Sequence, residues 1–76
     1  MKQRDVQITI RVTNNLSVER QVILEPWATE YCLTPGNSVD VAAAGNASFP
    51  LEVEVFENRI IVHCFDSQGA TMSFVQ

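Results

Sequence analysis

The turn at positions 34–37, Thr-Pro-Gly-Asn, is the feature that most constrains how this chain can fold. Proline at its second position holds φ at about −65°, and glycine at its third position accepts a positive φ, which is the pattern of a type II turn. We therefore predict a positive φ at Gly36. Apolar and polar residues alternate on both sides, which predicts a strand before the turn and another after it. The residues on one face are Trp27, Thr29, Tyr31 and Leu33 before the turn and Val39, Val41 and Ala43 after it.

The rest of the chain shows the same period of two. Further strands are predicted by this alternation at 6–12, 19–25, 51–55, 59–65 and 70–75. Pro26 is expected to bend the chain, with Trp27 opening the next strand, and Gly45-Asn46 is expected to form a turn. No segment has the period of an amphipathic helix. The chain is therefore predicted to be one all-β domain over 1–76, a small antiparallel sandwich of about six or seven strands, with a small barrel as the alternative.

Charge and composition restrict the classes of partner. The chain has 76 residues with a net charge of −4 and an isoelectric point near 4.6. Because phosphate binding requires clustered Lys and Arg, and none occur, neither nucleic acid nor anionic membrane is expected as a partner. No run approaches the roughly 20 apolar residues of a membrane helix. The N-terminal residues lack the apolar segment and cleavage site of a signal peptide, so a cytoplasmic protein is expected.

The two cysteines, Cys32 and Cys64, fit no short metal-binding spacing. Strand parity places them on opposite faces, so we expect two reduced thiols without a disulfide. A nucleophile–base pair of Cys32 with His63 would need neighbouring strands, and a zinc site would need both cysteines, His63 and a carboxylate. A copper site of the cupredoxin type needs two histidines, whereas the chain has one. We therefore expect no catalytic residue, no enzymatic activity, no metal and no cofactor.

Trp27 and Tyr31 are the most informative candidates for a binding surface. They are four residues apart in the predicted strand and would share one face. They could pack into the core, or they could form an exposed aromatic platform, because Trp and Tyr are enriched in interfaces. The platform interpretation, with Glu30 beside it, predicts a small-molecule or carbohydrate binding protein.

The predicted strand 59–65 is apolar on both faces, which suggests an interface. Ile61, His63 and Phe65 lie on one face, and Ile60, Val62 and Cys64 lie on the other. A two-layer sandwich has a single core, so one face must point outward unless it is covered. A bend or bulge near His63 would instead turn that face inward. The favoured function is a non-enzymatic protein-interaction module, with a homodimer or another protein as the partner. The residues expected to form this contact are Phe56, Ile61, His63 and Phe65.

Two stretches of the sequence also resemble known proteins. The order I-T-I-R-V-T-N-N, V-I-L-E-P and L-T-P-G-N-S-V-D-V resembles immunoglobulin-like bacterial sandwiches. Over positions 24–55, L-E-P-W-x-x-x-Y-x-L-x-P-G-x-S-V-x-V-x-A followed by P-L-E-V-E-V is similar to a family of small, uncharacterised bacterial proteins. Cys32 departs from the polar residue usual at that position. The resemblance implies a soluble bacterial domain with an immunoglobulin-like or cupredoxin-like sandwich, and it implies no catalytic residue.

Overall fold

The structure of the protein, a computed structural model, describes residues 5–46, 48–66 and 68–75. These residues form seven β-strands and no helix, which confirms the predicted all-β fold. The strands are β1 (Asp5–Thr13), β2 (Arg20–Glu25), β3 (Thr29–Leu33), β4 (Ser38–Asn46), β5 (Glu52–Val55), β6 (Arg59–His63) and β7 (Thr71–Val75).

The strands are arranged in two sheets. One sheet has three strands in the order β1-β4-β7, and the other has four in the order β3-β2-β6-β5. Because the two sheets are separate, the fold is a sandwich and not a closed barrel. Neighbouring strands are antiparallel except for β2 and β6, which run parallel with Val22 beside Ile60. The predicted antiparallel arrangement therefore holds for every pair but this one.

The core lies between the inward faces of the two sheets. Its largest fully buried side chains are Leu24, Leu33, Val22, Val41 and Val62. Each such burial contributes about 1.5–3 kcal/mol, so these aliphatic side chains dominate the stability of a domain this small.

One aromatic contact shows how the sheets are aligned. The Tyr31 ring on β3 lies 5.3 Å from the Phe74 ring on β7, which brings these two edge strands together on one side of the sandwich. The other two edge strands, β1 and β5, must therefore lie together on the opposite side.

The predicted type II turn is confirmed. Gly36 has a φ of 79°, and the amide of Asn37 donates a hydrogen bond to the carbonyl of Thr34 at 3.2 Å. The strands on its two sides belong to different sheets, since β3 lies in the four-stranded sheet and β4 in the three-stranded one. The turn therefore joins the two layers of the sandwich.

Asn14 is buried directly after β1 and holds this turn in place. Its side-chain amide donates to the carbonyls of Leu33 and Val18, both at 2.9 Å, and its side-chain oxygen accepts from the amide of Leu16 at 2.9 Å. Its backbone carbonyl also accepts from the amide of Gly36 at 2.8 Å. A single side chain therefore connects the β1–β2 loop with the end of β3.

The expected strand beginning at Trp27 is wrong. The chain does bend at Pro26, but Trp27 and Ala28 lie in the turn, and β3 begins at Thr29. Ala28 has a φ of 58°, a left-handed conformation that a strand residue does not adopt. Trp27 therefore does not belong to the face that carries Tyr31.

The expected turn at Gly45-Asn46 is also wrong, because β4 continues through both residues. Gly45 instead allows a close approach between segments. A Cβ atom added there would lie 2.7 Å from a ring carbon of Phe65 and 3.1 Å from the Cβ of Ala70. Glycine at this position leaves room for the Phe65 ring.

Phe65 does not lie on an outward face with Ile61 and His63. Strand β6 ends at His63, the chain leaves the strand there, and Phe65 is buried in the core. This agrees with the alternative considered from the sequence, in which a bend near His63 turns this face inward. Replacing Phe65 with a charged residue would therefore disturb the core and would not test an interface.

Candidate functional site

Three of the residues predicted from the sequence, Trp27, His63 and Phe65, line one cleft at an end of the sandwich, whereas the other four do not. Trp27 is at one end of the sandwich, and Tyr31 faces inward beside the buried Val22. Glu30, Ile61 and His63 share the outer face of the four-stranded sheet, which the register fixes through Ile23 and Glu25. The aromatic platform of Trp27 with Tyr31 is therefore not formed.

The outer face of the four-stranded sheet is less apolar than predicted. Ile61 pairs with Ile23 on one side and Glu54 on the other, and both isoleucines are only partly exposed. His63 Nε2 lies 2.6 Å from Glu54 Oε1. With Phe65 buried, this face has a small apolar centre between charged and polar side chains.

Phe56 follows β5 and is engaged by two arginines. The guanidinium of Arg59 stacks over its ring at 4.6 Å from the ring centre. The guanidinium of the buried Arg20 donates to the carbonyl of Phe56 and, at 3.4 Å, to that of Arg59. Arg20 therefore fixes the backbone of the β5–β6 turn, whereas the Phe56 ring is 38% exposed beside Arg59. The sequence analysis did not identify Arg20. Its position two residues before Val22 and four before Leu24 places it on the same inward face of β2, which could have indicated a buried arginine.

The first candidate surface is the side of the sandwich where β1 and β5 are the free edges, which we call the open side. Val53 and Val55 pair with the inward-facing Val62 and Ile60, so they also face inward. Nevertheless Val53 is 49% exposed and Val55 is 71% exposed. Ile8 on β1, which pairs with the buried Ala43, is 38% exposed. These side chains face the interior, but none of the seven described strands covers them.

The exposure of Val53 and Val55 follows from the unequal strand numbers. Three strands cannot cover four, and the Tyr31–Phe74 contact places the deficit on the side of β1. Sequence alternation correctly predicted an apolar face at 51–55 but could not show that it is uncovered. That information depends on strand order, which a single sequence does not contain.

The second candidate surface is a cleft of about 580 Å³ at one end of the sandwich, which we call the end cleft. It lies where three connections meet, from β2 to β3, from β4 to β5 and from β6 to β7. Its lining includes the aromatic residues Trp27, Phe49 and Phe65 and the acidic residues Glu25, Glu52 and Asp66. His63 and Cys64 also line it. Of the lining residues, Trp27 was predicted as part of a ligand platform, and His63 and Phe65 were predicted as parts of a protein contact. Phe49-Pro50 and Asp66 lie in loops, where sequence alone gives no spatial neighbours.

The cysteines do not form a catalytic site with His63. Cys32 is on β3 and His63 is on β6, and β2 lies between these strands. Across two strand spacings the side chains are about 10 Å apart or more, too far for a nucleophile–base pair. Both cysteines are free thiols, as predicted, and Cys64 contacts a backbone carbonyl at Thr71. Among the residues that the structure describes, no group of three potential ligands is placed to hold a metal ion.

The thiols are also poorly activated. Cys32 Sγ donates to Glu19 Oε2 at 3.3 Å, and this hydrogen bond, followed by desolvation and charge repulsion, raises the pKa of Cys32. Burial raises the pKa of Cys64. A thiol reacts through its thiolate, so a raised pKa lowers its nucleophilicity at neutral pH.

We expect Glu19→Gln to increase the alkylation rate of Cys32 severalfold at about pH 8, a little below the ordinary thiol pKa. The substitution removes the carboxylate that stabilises the protonated thiol, so the pKa falls and the thiolate fraction rises. Peptide mass spectrometry after timed iodoacetamide treatment measures the rate. Cys64 in the same molecule is the internal control and should react at an unchanged rate. Equal Cys32 rates in the two proteins would contradict the role given to Glu19.

Over the described ranges, no helix has the length and apolar character needed to cross a bilayer. Comparison with protein-family models, curated proteins and solved structures finds no match to this chain. The resemblance to a family of small bacterial proteins therefore stays a prediction, and a functional assignment depends on the geometry of the open side and the end cleft.

Proposed function

We propose that this chain is a non-enzymatic protein-interaction module that binds one extended strand of another protein at its open side. The observation that supports this most strongly is the exposure of Val53 and Val55, inward-facing valines beside the unpaired edge of β1. Apolar groups on an inner face are normally covered, and an uncovered apolar patch commonly marks an interface.

An added strand fits the spacing of the sandwich. Strand β1 has nine residues and, among the described strands, pairs only with β4, so no described strand is paired with the amides and carbonyls of its other edge. A strand paired with this edge would lie about 4.8 Å from β1 and about 10 Å above β5. It would raise the smaller sheet to four strands and place alternate side chains on Val53 and Val55. Main-chain hydrogen bonds would supply affinity, and the inward-facing side chains would supply selectivity.

The geometry favours a single strand over a second complete sandwich. A two-fold pairing of β1 with the β1 of another copy would bring the four-stranded sheets of the two copies into collision, because that sheet has one strand more than the sheet that contains β1. In addition, Phe65, one of the residues predicted to form the dimer contact, is buried in the core and is not available for it. The homodimer remains a prediction, whereas a slender extended segment meets no such obstruction.

The composition of the partner strand follows from β1. Its inward-facing residues would lie beside Val6, Ile8 and Ile10, so they should be aliphatic. On the outer face, Arg11 is paired with Asp40 at 2.7 Å, whereas Asp5 at the start of β1 is exposed. The partner is therefore an alternating apolar segment with polar or basic residues between the apolar ones, which also suits a net charge of −4.

We expect an acetylated octapeptide that alternates valine with threonine and lysine to bind saturably, and its scrambled form to bind much more weakly. Isothermal titration measures affinity, and hydrogen exchange should show new protection of β1 amides. Val55→Lys should weaken binding by about tenfold or more, the equivalent of losing one aliphatic contact.

Val75→Lys is the matched control. Val75 is a 48% exposed valine on β7, the edge strand opposite β1 in the three-stranded sheet, and it faces outward. The substitution should leave peptide binding unchanged. Equal losses for the two variants, or equal binding of the alternating and scrambled peptides, would contradict strand addition. Sedimentation equilibrium completes the test, since a dimer abolished by Val55→Lys would assign the open side to a second copy instead.

The alternative function, a small-molecule or carbohydrate binding protein, is favoured by a different observation. The end cleft beside Trp27 has a volume within the range of small-molecule sites, although Tyr31 does not contribute to it. Its charge and shape limit which ligand chemistry it could accept.

A further inference from the structure

We propose that the end cleft binds a guanidinium group, either that of an arginine side chain or that of a free arginine-like molecule. This inference is independent of strand binding at the open side, because none of the residues that define the open side lines the cleft.

The aromatic walls account for the planar part of the ligand. Trp27 is 46% exposed and Phe49 is partly exposed, although both are large apolar side chains in loops. Phe65 closes the cleft from the core side, where it is buried. A guanidinium group is flat and weakly hydrated, and it stacks on aromatic faces with favourable cation–π energy. Arg59 and Phe56 make a contact of this kind elsewhere in this protein, with the guanidinium carbon 4.6 Å from the ring centre.

The carboxylates of the cleft would balance the positive charge of the ligand. Glu25, Glu52 and Asp66 line the cleft, and no Lys or Arg is among the described residues that do so. The Glu25 side chain is held in place by the amide of Ala28, which donates to Oε1 at 3.2 Å. A carboxylate accepts two parallel hydrogen bonds from a guanidinium, which gives this cation an advantage over a point charge.

Other ligand classes fit less well. No described group of three ligands could hold a metal ion, so the negative charge is not organised around one. An anion would be repelled by three carboxylates, and His63, the potential cation among the described lining residues, already contacts Glu54 at 2.6 Å. A neutral sugar could stack on Trp27, but it would leave the charge of Glu52 and Asp66 uncompensated.

Trp27 is the only tryptophan of the chain, so its fluorescence reports directly on occupancy. The probe is a glycine–arginine–glycine tripeptide blocked at both ends. Two matched peptides replace arginine with citrulline, which has nearly the same shape without the charge, or with lysine, which keeps the charge without the plane. We expect saturable quenching by the arginine peptide, weaker binding of the lysine peptide, and at least about tenfold weaker binding of the citrulline peptide. Agmatine, titrated in parallel, distinguishes a free small molecule from a peptide as the source of the group.

The double variant of Glu52→Gln with Asp66→Asn should weaken binding of the arginine peptide by at least about tenfold. Its control is Glu30→Gln with Glu57→Gln, which makes the same change in net charge at exposed positions outside the cleft. The control should bind with nearly unchanged affinity, because distant exposed charges are screened by salt. Citrulline binding as tight as arginine binding, equal losses in the two double variants, or no saturable quenching by any probe would overturn the proposal.

Discussion

Gly45→Val is expected to remove most of the stability of the folded state. The first added carbon would lie 2.7 Å from Phe65 Cδ2 and 3.1 Å from Phe65 Cβ, so the buried ring and its backbone would have to shift. Overpacking of a core costs about 1–3 kcal/mol for small insertions, and a branched side chain in a site without room lies at the upper end or beyond. A domain of this size is stable by only about 4–11 kcal/mol, so the loss is a large fraction of the total.

Urea denaturation followed by circular dichroism measures this loss. Ala44→Val is the matched control, since Ala44 is the preceding residue of β4 and faces outward between Gln7 and Thr71. Valine suits an outward-facing, partly exposed strand position, so the control should change the free energy of unfolding by less than about 0.5 kcal/mol. If Gly45→Val unfolded at the same urea concentration as the unaltered protein, the contact between β4 and Phe65 would be wrong.

Asn14→Ala is expected to lower the free energy of unfolding by about 3 kcal/mol. The substitution removes three side-chain hydrogen bonds at 2.9 Å and leaves the buried carbonyl of Leu33 without its donor from Asn14. Each bond contributes about 1 kcal/mol net, so the three together account for the expected loss. Asn14→Asp should recover only part of this loss, because a carboxylate can accept from Leu16 but cannot donate to Leu33.

Asn15→Ala provides the control, because it makes the same chemical change at the next residue, which is exposed. It should shift the free energy of unfolding by no more than about 0.5 kcal/mol. Comparable losses at the two positions would show that the effect comes from loop flexibility and not from the hydrogen bonds of Asn14.

Local patterns in the sequence predicted the strands well. The period of two is a property of neighbouring residues, so β1, β2 and β6 were predicted within a few residues of their observed bounds. The turn before β4 was predicted because Pro35 and Gly36 act on their own dihedral angles and need no distant partner.

The failures concern residues whose role depends on distant contacts. Gly45 was assigned to a turn because glycine commonly occurs in turns, yet it is glycine here because Phe65 packs against it. Trp27 was assigned to a strand because the alternation extends through it, but the chain turns at Pro26 and Ala28. The sequence therefore indicated which residues are unusual without indicating why.

The candidate surfaces were the least predictable part of the molecule. The open side exists because β5 extends past β1, and this follows from strand order and not from the residues of either strand. The end cleft combines three segments that are distant in sequence, and although Trp27, His63 and Phe65 were each predicted to bind something, the sequence did not indicate that they meet. Neither surface has a short motif of its own.

The position of β4 in the centre of its sheet has a consequence for the order of folding. The hairpins of β2 with β3 and of β5 with β6 are local and can close early, whereas β4 pairs with β1 and with β7, strands that lie far from it in the chain. Topologies dominated by distant pairings fold slowly, because the chain must close large loops before any pairing energy is gained. During synthesis β1 can pair with β4, but the other edge of β4 stays unpaired until β7 has been made. In that interval the strand exposes unpaired backbone amides and carbonyls, with the apolar side chains of β4 beside them, to other protein molecules. The nascent protein is therefore more prone to aggregation than the folded one.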